Sequence, residues 1–381
     1  MRVVFSPHAY SPSIGGAERY AQGLAEGLVK LGHEVHVLVA DVDDPEAFYE
    51  LAHRGVGRAE ETIGGVDVHR ISYIGFDYRL MGRLRGADRV LRSSTERFKT
   101  RLGHRLANLA PDVVVALPHL FPNVEEVIRL RAGASCKLIY VPMLHEDDPY
   151  WSVDRVSRSV ARSDGVIALT DHERGRLLKS YGAVPDRVAV IPPGVGLGDE
   201  NGGERDPVVL FVGRRTASKR LDVLYQAMQT VWEDHPGVLL ILAGSPPGVG
   251  IDPAIWMAGD PRVKVVDRPS EPDKDRLLGQ ARVVVSPSLT ESFGITTLEA
   301  WAQGTPVVVT DSPVNRSVVR HGEDGVVASG HEPDDLAVAL SRLLGSPEQA
   351  REMGRAGRER VRAEFNWSKS AAALDELMLR I

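Results

Sequence analysis

The feature that most constrains the fold of this chain is an alternation of short β-branched runs with helical patterns, repeated along both halves. Such runs, apolar nearly throughout, indicate strands buried on both faces, as in a parallel sheet. They lie at residues 2–6, 34–40, 66–71, 112–116, 137–141, 165–169 and 187–191 in the first half, and at 208–213, 238–243, 262–266, 282–286 and 306–310 in the second. The pattern predicts an α/β fold with two Rossmann-like, doubly wound domains.

A segment rich in glycine and proline separates the two halves. Residues 191–207 contain five glycines and three prolines and show no apolar periodicity, as is typical of a linker. We therefore expect an N-terminal domain over residues 1–195 and a C-terminal domain over residues 196–365. Because ligands of open α/β sheets bind outside the carboxyl ends of the strands, two such domains facing each other would enclose a cleft.

The bulk composition argues against several classes of protein. The 381 residues are 43% hydrophobic and 26% charged, and a formal net charge of -6 argues against nucleic-acid binding. The single cysteine, Cys136, excludes an internal disulfide, and its apolar context predicts a buried thiol in a reducing compartment. The N-terminus lacks a signal-peptide pattern, and no apolar run approaches the roughly 18 residues of a membrane helix. The expectation is a soluble, cytoplasmic protein.

The segment from Arg79 to Arg105 differs in charge from the rest of the chain. It holds nine basic residues against two acids, with leucine and phenylalanine at roughly helical spacing, which predicts one or two basic amphipathic helices. Two interpretations remain open. One is a surface for anionic lipids or a charged acceptor, with weak contact to the inner face of the membrane; the other, which we favour, is a solvated arginine-rich face.

The tract ESFGITTLE, from Glu291 to Glu299, has the pattern of an anion site. A helix that begins near Gly294 would aim the free N–H groups of residues 294–296 at a bound anion, and the helix dipole would favour phosphate there. The two carboxylates could then contact neutral sugar hydroxyls on either side. The alternative is an ordinary helix with an exposed glutamate at each end of its first turn.

Gly15 and Gly16 immediately precede a predicted helix of about 15 residues after the first strand. Glycines at such a point let a backbone approach a ligand that Cβ atoms would obstruct, so this turn is a second candidate phosphate contact. The alternative is a tight turn. The G-x-G-x-x-G pattern of dinucleotide binding is missing, which disfavours a nicotinamide enzyme.

Two cationic side chains, Arg214 and Lys219, follow the first strand of the second half. Their position at the mouth of the sheet suits a diphosphate, to which each charge-assisted bond contributes roughly 1.5 to 3 kcal/mol. The alternative is a solvated basic loop.

His145 follows another strand and heads the run HEDDPYW. A metal site built from His145 and the three acids of residues 146–148 is disfavoured, because four consecutive ligands cannot converge on one ion without strain. His145 alone could donate a hydrogen bond to a sugar or phosphate oxygen. The D-x-D at Asp41 to Asp43 is interpreted as a turn, so no metal is expected.

Taken together, these pieces resemble the family 4 glycosyltransferases, retaining enzymes of the GT-B architecture. The resemblance covers nearly the whole chain, and its E-x7-E motif is highly specific in this context. The last helix, residues 366–381, would cross back onto the N-terminal domain. The matching pieces are GGAERY, the strand end at His145, ALTDHERGRLLKSYG, VAVIPPGV, FVGRRTASKR, LLILAG and VVVSPSLTESFGITTLEAWAQGTPVVVTD.

The resemblance assigns roles to matching positions. Arg214 and Lys219 resemble the pair that neutralises the diphosphate of the leaving nucleoside diphosphate. Glu299 resembles the acid that binds the ribose hydroxyls, and Glu291 the acid that contacts sugar hydroxyls near the reacting carbon. His145 resembles the histidine near the transferred sugar and the acceptor. The remaining donor-binding positions are Gly15, Gly16, Phe293, Gly294, Ile295 and Thr296.

Two positions depart from the family pattern. Arg220 stands where a small residue usually follows the family lysine, and the segment 312–315, Ser-Pro-Val-Asn, replaces a glycine pair. The second loop borders the sugar in the family, so the identity of the sugar stays open.

The resemblance implies transfer of a hexose-type sugar from a nucleoside-diphosphate sugar, UDP first and GDP next, to an acceptor hydroxyl, without a metal or other cofactor. One alternative is a UDP-sugar 2-epimerase on the same architecture, which would need no acceptor. The other is a non-catalytic binding or membrane-docking partner that uses the basic segment. The charged residues present at the site favour catalysis.

Overall fold

The structure is a computed structural model that describes residues 1–13, 15–42, 55–72, 87–119, 121–130, 135–145, 151–198, 205–247, 251–257 and 259–381. The chain forms two compact units. Unit 1 comprises Met1–Pro193 together with Trp367–Ile381, and unit 2 comprises Gly194–Asn366. Each unit is an α/β unit built on its own sheet.

Unit 1 contains an eight-stranded sheet in the order β3-β4-β2-β1-β5-β6-β7-β8. All neighbouring strands are parallel except β3 and β4, which are antiparallel. The edge strand β3 alternates exposed and half-buried residues, so it lacks the apolar run that predicted the others. The strands are β1 (Arg2–Pro7), β2 (Glu34–Ala40), β3 (Glu60–Ile63), β4 (Val66–Ile71), β5 (Val113–Leu117), β6 (Lys137–Tyr140), β7 (Gly165–Ala168) and β8 (Val188–Val190).

Helices follow the strands of unit 1 in the way the alternating pattern predicts. Their apolar faces pack against the sheet in a core that includes Val4, Leu38, Val114 and Leu138, all fully buried, and the buried Cys136 thiol. The helices are α1 (Gly16–Lys30), α2 (Ala87–Leu109), α3 (Pro122–Leu130), α4 (Val153–Ala161), α5 (Asp171–Ser180) and, from the end of the chain, α13 (Trp367–Arg380).

Unit 2 contains a six-stranded, fully parallel sheet in the order β11-β10-β9-β12-β13-β14. Its core includes Phe211, Leu240, Val283 and Val308, each at most 2% exposed. The strand β14 begins with a glycine and holds only two valines, so it lacks the longer β-branched run that marks the other strands of this sheet. The strands are β9 (Asp206–Val212), β10 (Leu239–Gly244), β11 (Val263–Asp267), β12 (Ala281–Ser286), β13 (Val307–Val309) and β14 (Gly325–Val327).

The helices of unit 2 also alternate with its strands. The longest, α12, is amphipathic and buries Met353 and Val361 while exposing charged residues. The helices are α6 (Leu221–Asp234), α7 (Ala254–Met257), α8 (Glu271–Gln280), α9 (Ile295–Ala302), α10 (Pro313–Val318), α11 (Pro333–Leu344) and α12 (Pro347–Ala363).

The C-terminal helix α13 packs on α1, as the resemblance implied. Two glycines one helical turn apart, Gly23 and Gly27, permit the close approach, since a Cβ at Gly23 would lie 2.3 Å from the Trp367 ring and one at Gly27 2.5 Å from Ala371 Cβ. In addition, the Ser370 hydroxyl donates to the Pro192 carbonyl at 2.8 Å. The last helix is therefore an integral part of unit 1.

The described part of the basic segment is a single helix, α2. Phe98, Leu102 and Leu106 are buried in the core of unit 1, so one face of this helix is structural. Residues 79–86 lie outside the described residues. In the described ranges, no helix combines the length and the apolar character needed to cross a membrane.

Candidate functional site

In unit 2 the chain leaves two neighbouring strands, β9 and β12, toward opposite edges of the sheet. β10 lies on the far side of β9, and β13 lies on the far side of β12. Such a reversal opens a crevice between the carboxyl ends of the two strands, where ligands of open α/β sheets bind. Arg214 and Lys219 follow β9, and Glu291 and the start of α9 follow β12.

The two consecutive arginines after β9 have different environments. Arg215 is 1% exposed and donates to the Asp252 carboxylate at 2.7 to 3.1 Å, to Asp267 Oδ1 at 2.5 Å and to the Gly244 carbonyl at 2.7 Å. These bonds hold the carboxyl ends of β10 and β11 beside the loop after β9. Arg214, predicted to bind the diphosphate, is half-buried beside this structural arginine.

The structure brings Lys219 and Glu291 together across the crevice. The Lys219 Nζ donates to Glu291 Oε1 at 2.5 Å, and the side chains are 24% and 15% exposed. Lys219 ends a short 3-10 turn, and Arg220, where the family has a small residue, follows with a left-handed φ of 49°. The pair therefore joins the loop after β9 to the loop after β12.

Helix α9 begins at Ile295, with Gly294 as its N-cap. Gly294 has φ 83° and ψ 60°, a left-handed conformation that favours glycine. The Thr297 N–H donates to the Gly294 carbonyl, and the Thr296 hydroxyl reaches the Val212 carbonyl of β9 at 3.4 Å. The first turn of α9 thus lies against the end of β9, and its N–H groups at Ile295 and Thr296 have no partner within an α-helix.

Glu299 differs from the exposed acid of the alternative interpretation. Its side chain is 9% exposed, and its Oε1 accepts a hydrogen bond of 2.8 Å from the Nζ of Lys274. Lys274 lies in the first turn of α8, where it also donates to Glu271 Oε2 at 2.9 Å. The sequence gives no signal for Lys274, because it lies 25 residues before its partner on another helix.

Phe293 lies between the two acids and is 5% exposed. Its ring packs edge to face on Phe365, with ring centroids 5.9 Å apart, and Phe365 stacks on Trp301. Burial of this aromatic side chain anchors the loop that carries Glu291 to the core beneath α9.

The C-terminus of α9 is anchored by two buried arginines. Arg205 donates to the Gln303 and Gly279 carbonyls at 2.8 and 2.6 Å, and Arg358 donates to the Ala302 carbonyl. Burial, and then the neighbouring Arg282, lower the pKa of Arg205 to about 10, so it stays charged at neutral pH. Cations at this end of α9 complement its dipole, and they hold the helix that directs its N-terminus into the crevice.

The segment that replaces the family glycine pair begins α10. The Ser312 hydroxyl caps this helix by accepting from the Asn315 N–H, and the Asn315 side chain donates to the Thr310 carbonyl at 2.9 Å. Thr310 in turn donates to the Ser288 carbonyl. These bonds connect the loop after β13 to the loop after β12.

Unit 1 has a crevice of the same kind between β1 and β5, since β2 and β6 lie on their outer sides. Gly15 is the N-cap of α1 with an extended backbone, and Gly16 is the first helical residue. A Cβ at Gly15 would lie 2.3 Å from the Glu18 carboxylate. Glu18 is 3% exposed, and its Oε1 lies 3.1 Å from His8 Nε2. The glycine turn therefore leaves room for a buried acid rather than open space.

Three buried polar side chains at this crevice were not predicted from the sequence: His8 after β1, His119 after β5, and Asn123 in α3. Each has a buried atom with no hydrogen-bond partner in the part of the chain that the structure describes, namely His8 Nδ1, His119 Nε2 and Asn123 Oδ1. Buried polar atoms are normally paired, so these groups are suited to a polar ligand. Burial lowers the pKa of His119 to about 4, so the ring is neutral at pH 7.

His145 follows β6 and is half-buried. Its ring stacks on Trp151, with centroids 4.8 Å apart and planes 15° apart. The backbone just before it is held by Glu173, whose carboxyl accepts from the Leu144 and Leu169 N–H groups at 2.8 and 2.6 Å. Burial raises the pKa of Glu173 to about 7. His145, Gly15 and Gly16 thus belong to unit 1, whereas the other predicted site residues belong to unit 2.

Among the residues that the structure describes, no group of three or more His, Cys, Asp or Glu side chains is placed to hold a metal ion. The acids 146–148 and Asp43, considered as ligands from the sequence, lie outside the described residues.

Two models of protein families match consecutive parts of the chain. Glycosyltransferase Family 4 matches residues 14–198, and Glycosyl transferases group 1 matches residues 199–360. Among curated proteins, the chain is 36% identical over 233 residues to D-inositol 3-phosphate glycosyltransferase of Segniliparus rotundus, and 34% identical over 238 residues to that of Nocardia farcinica. These matches cover 56% and 57% of the chain and 52% of each relative, so the chain spans about half the length of the curated relatives it matches.

Solved structures resemble the whole chain. Sucrose-phosphate synthase from Thermosynechococcus elongatus matches with a TM-score of 0.80 at 20% identity, covering 100% of this chain and 99% of that one. Anabaena HepE in complex with UDP and glucose matches with a TM-score of 0.77 at 16% identity, covering 100% of both chains. At these identities the likeness shows a shared fold.

Proposed function

The chain belongs to the family 4 and group 1 glycosyltransferases and has their GT-B fold, and we propose that it transfers a sugar from a nucleoside-diphosphate sugar to an acceptor hydroxyl. The observation that carries the proposal is the Lys219–Glu291 pair at the crevice of unit 2. It places a cation and a carboxylate at the N-terminus of α9, where the helix dipole favours an anion.

We assign the donor's diphosphate to the cationic side of this crevice. Arg214, Lys219 and the N–H groups of Gly294, Ile295 and Thr296 bind its oxygens. As the bond between the sugar carbon and the phosphate oxygen breaks, negative charge develops on the diphosphate, and these preorganised donors stabilise it. A metal ion is not needed for this stabilisation. The N–H groups of Gly15 and Gly16, at the N-terminus of α1 in unit 1, are proposed separately as a phosphate contact.

The two acids of the E-x7-E motif have separate proposed roles. Glu299, held by Lys274, accepts from the ribose hydroxyls, and Glu291 contacts sugar hydroxyls near the reacting carbon. When the diphosphate binds Lys219, it shares or replaces the contact to Glu291, which leaves that carboxylate for the sugar. The donor proposed first is a UDP-hexose, consistent with the UDP and glucose bound by Anabaena HepE, and GDP is next.

The acceptor is assigned to unit 1, where His8, His119 and Asn123 present buried polar atoms at the ends of β1 and β5. A hydroxyl both donates and accepts hydrogen bonds, so it suits a mixture of imidazole and amide groups. The acceptor oxygen attacks the sugar carbon on the face that the diphosphate leaves, and its proton passes to the departing phosphate oxygen. The configuration at that carbon is retained. His145 lies near the transferred sugar and the acceptor in this proposal.

The test is release of nucleoside diphosphate by the full chain. A panel of nucleoside diphosphates and their sugars is first screened by thermal shift, and the stabilising donor is then incubated with candidate acceptors. Release that depends on an added acceptor, with a product whose anomeric proton coupling shows retained configuration, is the expected result. Consumption of the donor without any acceptor, or a product of inverted configuration, would contradict the proposal.

A further inference from the structure

Lys274 connects two carboxylates on two different helices of unit 2. Its Nζ donates to Glu271 Oε2 at 2.9 Å on its own helix, α8, and to Glu299 Oε1 at 2.8 Å on α9. The side chains of Lys274 and Glu299 are only 8% and 9% exposed, whereas that of Glu271 is 52% exposed. The contact between the buried partners therefore lies in the interior, and Glu271 holds the ammonium from the solvent side.

Burial makes this ion pair costly unless both charges are satisfied. Each ion loses hydration, and the mutual attraction repays that cost only when the geometry is good and further hydrogen bonds are made. A pair of apolar side chains would hold α8 against α9 at least as well. A buried carboxylate paired in this way is thus better explained by a ligand that needs it.

We propose that Lys274 is the positioning residue that holds the Glu299 carboxylate oriented to accept hydrogen bonds from the ribose hydroxyls, and so selects ribonucleotides over deoxyribonucleotides. The inference rests on the proposed function, because it concerns the ribose of the same nucleotide.

Restricted rotation of the Glu299 side chain is the physical basis of this positioning. A glutamate side chain has three rotatable bonds, and without a partner its carboxylate would sample many orientations. Lys274 holds one oxygen of Glu299 at a fixed point, and Glu271 on the same helix as Lys274 holds the ammonium itself. A hydroxyl that donates to an oriented carboxylate makes a charge-assisted bond, and an analogue that lacks the hydroxyl leaves a buried charge without that donor.

The experiment measures dissociation constants of the full chain for UDP, 2′-deoxy-UDP and 3′-deoxy-UDP by calorimetry. For the wild-type protein we expect the weaker-binding deoxy analogue to bind about ten- to a hundredfold less tightly than UDP, the range for one hydrogen bond to a charged group. In Lys274→Met, which keeps most of the unbranched apolar stem but removes the charge, this ratio should fall to within about threefold of one. Lys274→Arg, which keeps the charge, should restore most of the discrimination.

The matched control is Arg276→Met on the same helix. Arg276 is 64% exposed and pairs only locally with Asp273, so this change should leave the ratio at its wild-type value. Because Lys274→Met leaves Glu299 buried without its cation, the double variant Lys274→Met with Glu299→Gln removes both charges and protects the fold. It should also bind UDP and its deoxy analogues equally.

The possible outcomes separate the inference from the proposed function. If folded Lys274→Met, or the folded double variant, discriminates as strongly as the wild type, Lys274 does not position Glu299. If Arg276→Met loses discrimination to the same extent, the effect belongs to the stability of α8, and the inference is wrong. If the wild-type protein binds neither UDP nor GDP, the proposed function itself fails.

Discussion

The two units contain crevices of the same topology that differ in charge. In unit 2, the ends of β9 and β12 present Arg214, Lys219, Glu291 and, deeper, the Lys274–Glu299 pair. In unit 1, the ends of β1 and β5 present His8, His119 and Asn123, with Glu18 buried beside His8.

This difference in charge shows how the same sheet topology can suit two kinds of ligand. The topology fixes where a ligand binds, because both crevices open where the chain leaves two strands in opposite directions. The side chains after the strands then decide which ligand binds. Paired charges and a glycine-capped helix suit a diphosphate, and imidazole and amide groups suit a hydroxyl.

The largest expected effect is at the cationic side of unit 2. Arg214→Ala or Lys219→Ala should each lower turnover by about 10²- to 10³-fold, the usual cost of removing one preorganised donor to a developing charge. Initial rates of nucleoside diphosphate release measure this loss. Lys264→Ala, which removes an exposed lysine of β11, is the control and should retain its rate. Full activity in either site variant would mean that the cations of the unit 2 crevice do not stabilise the leaving diphosphate.

A second prediction concerns the neutral imidazole of His119 in the crevice of unit 1. The pKa of His119 is lowered to about 4 from 6.5, so its burial adds stability as pH rises through that window. The pKa of Glu173 is raised to about 7 from 4.5, so its burial removes stability as pH rises, and the two effects oppose each other. In His119→Gln only the Glu173 effect remains. Relative to wild type, its free energy of unfolding should fall by about 3 kcal/mol between about pH 4.5 and 6.5.

Urea denaturation at several pH values measures this change. His104→Gln replaces an exposed histidine of α2, and its pH dependence should follow that of the wild type. If His119→Gln also follows the wild type, His119 is not held neutral, and the chemical contrast between the crevices weakens.

Much of the fold follows from the sequence, because a strand buried on both faces is a continuous run of apolar residues that can be recognised locally. The strands β3 and β14 were missed for physical reasons. Residues Glu60–Ile63 form an edge strand with an alternating exposure, and Gly325–Val327 begins with a glycine and holds only two β-branched residues.

The sequence predicts residues of the candidate site only where a local pattern marks them. Gly294 and its helix start could be located from a local pattern. The sequence cannot distinguish the structural Arg215 from Arg214, because Asp252 and Asp267 lie far along the chain. Lys274 and His119 were missed for the same reason. Their hydrogen-bond partners are Glu299 and Tyr140, which lie far away in sequence and come near only when the chain folds.

A smaller effect is expected at the start of α9. Gly294→Ala places a Cβ in a left-handed conformation, which should lower the free energy of unfolding by about 1 kcal/mol and, by displacing the first turn, weaken UDP binding several-fold. Calorimetry and urea denaturation measure the two quantities. Gly237→Ala is a suitable control, since that loop glycine has open space for a Cβ. Unchanged UDP affinity in Gly294→Ala would mean that the first turn of α9 does not bind the diphosphate.

The smallest effect is expected from removal of metal ions. If the charges of unit 2 replace a metal, EDTA should leave the rate of nucleoside diphosphate release unchanged. The measurement compares initial rates before and after exhaustive chelation. A loss that added Mg²⁺ or Mn²⁺ restores would show that Arg214 and Lys219 do not suffice.

The central claim is that the nucleotide binds in the charged crevice of unit 2, and the most direct measurement is a crystal structure of the full chain with UDP. We predict that the diphosphate contacts Lys219 Nζ and the first-turn N–H groups of α9, and that the ribose hydroxyls donate to Glu299. A nucleotide whose ribose and diphosphate both lie at the ends of β1 and β5, against His8 and His119, would contradict it.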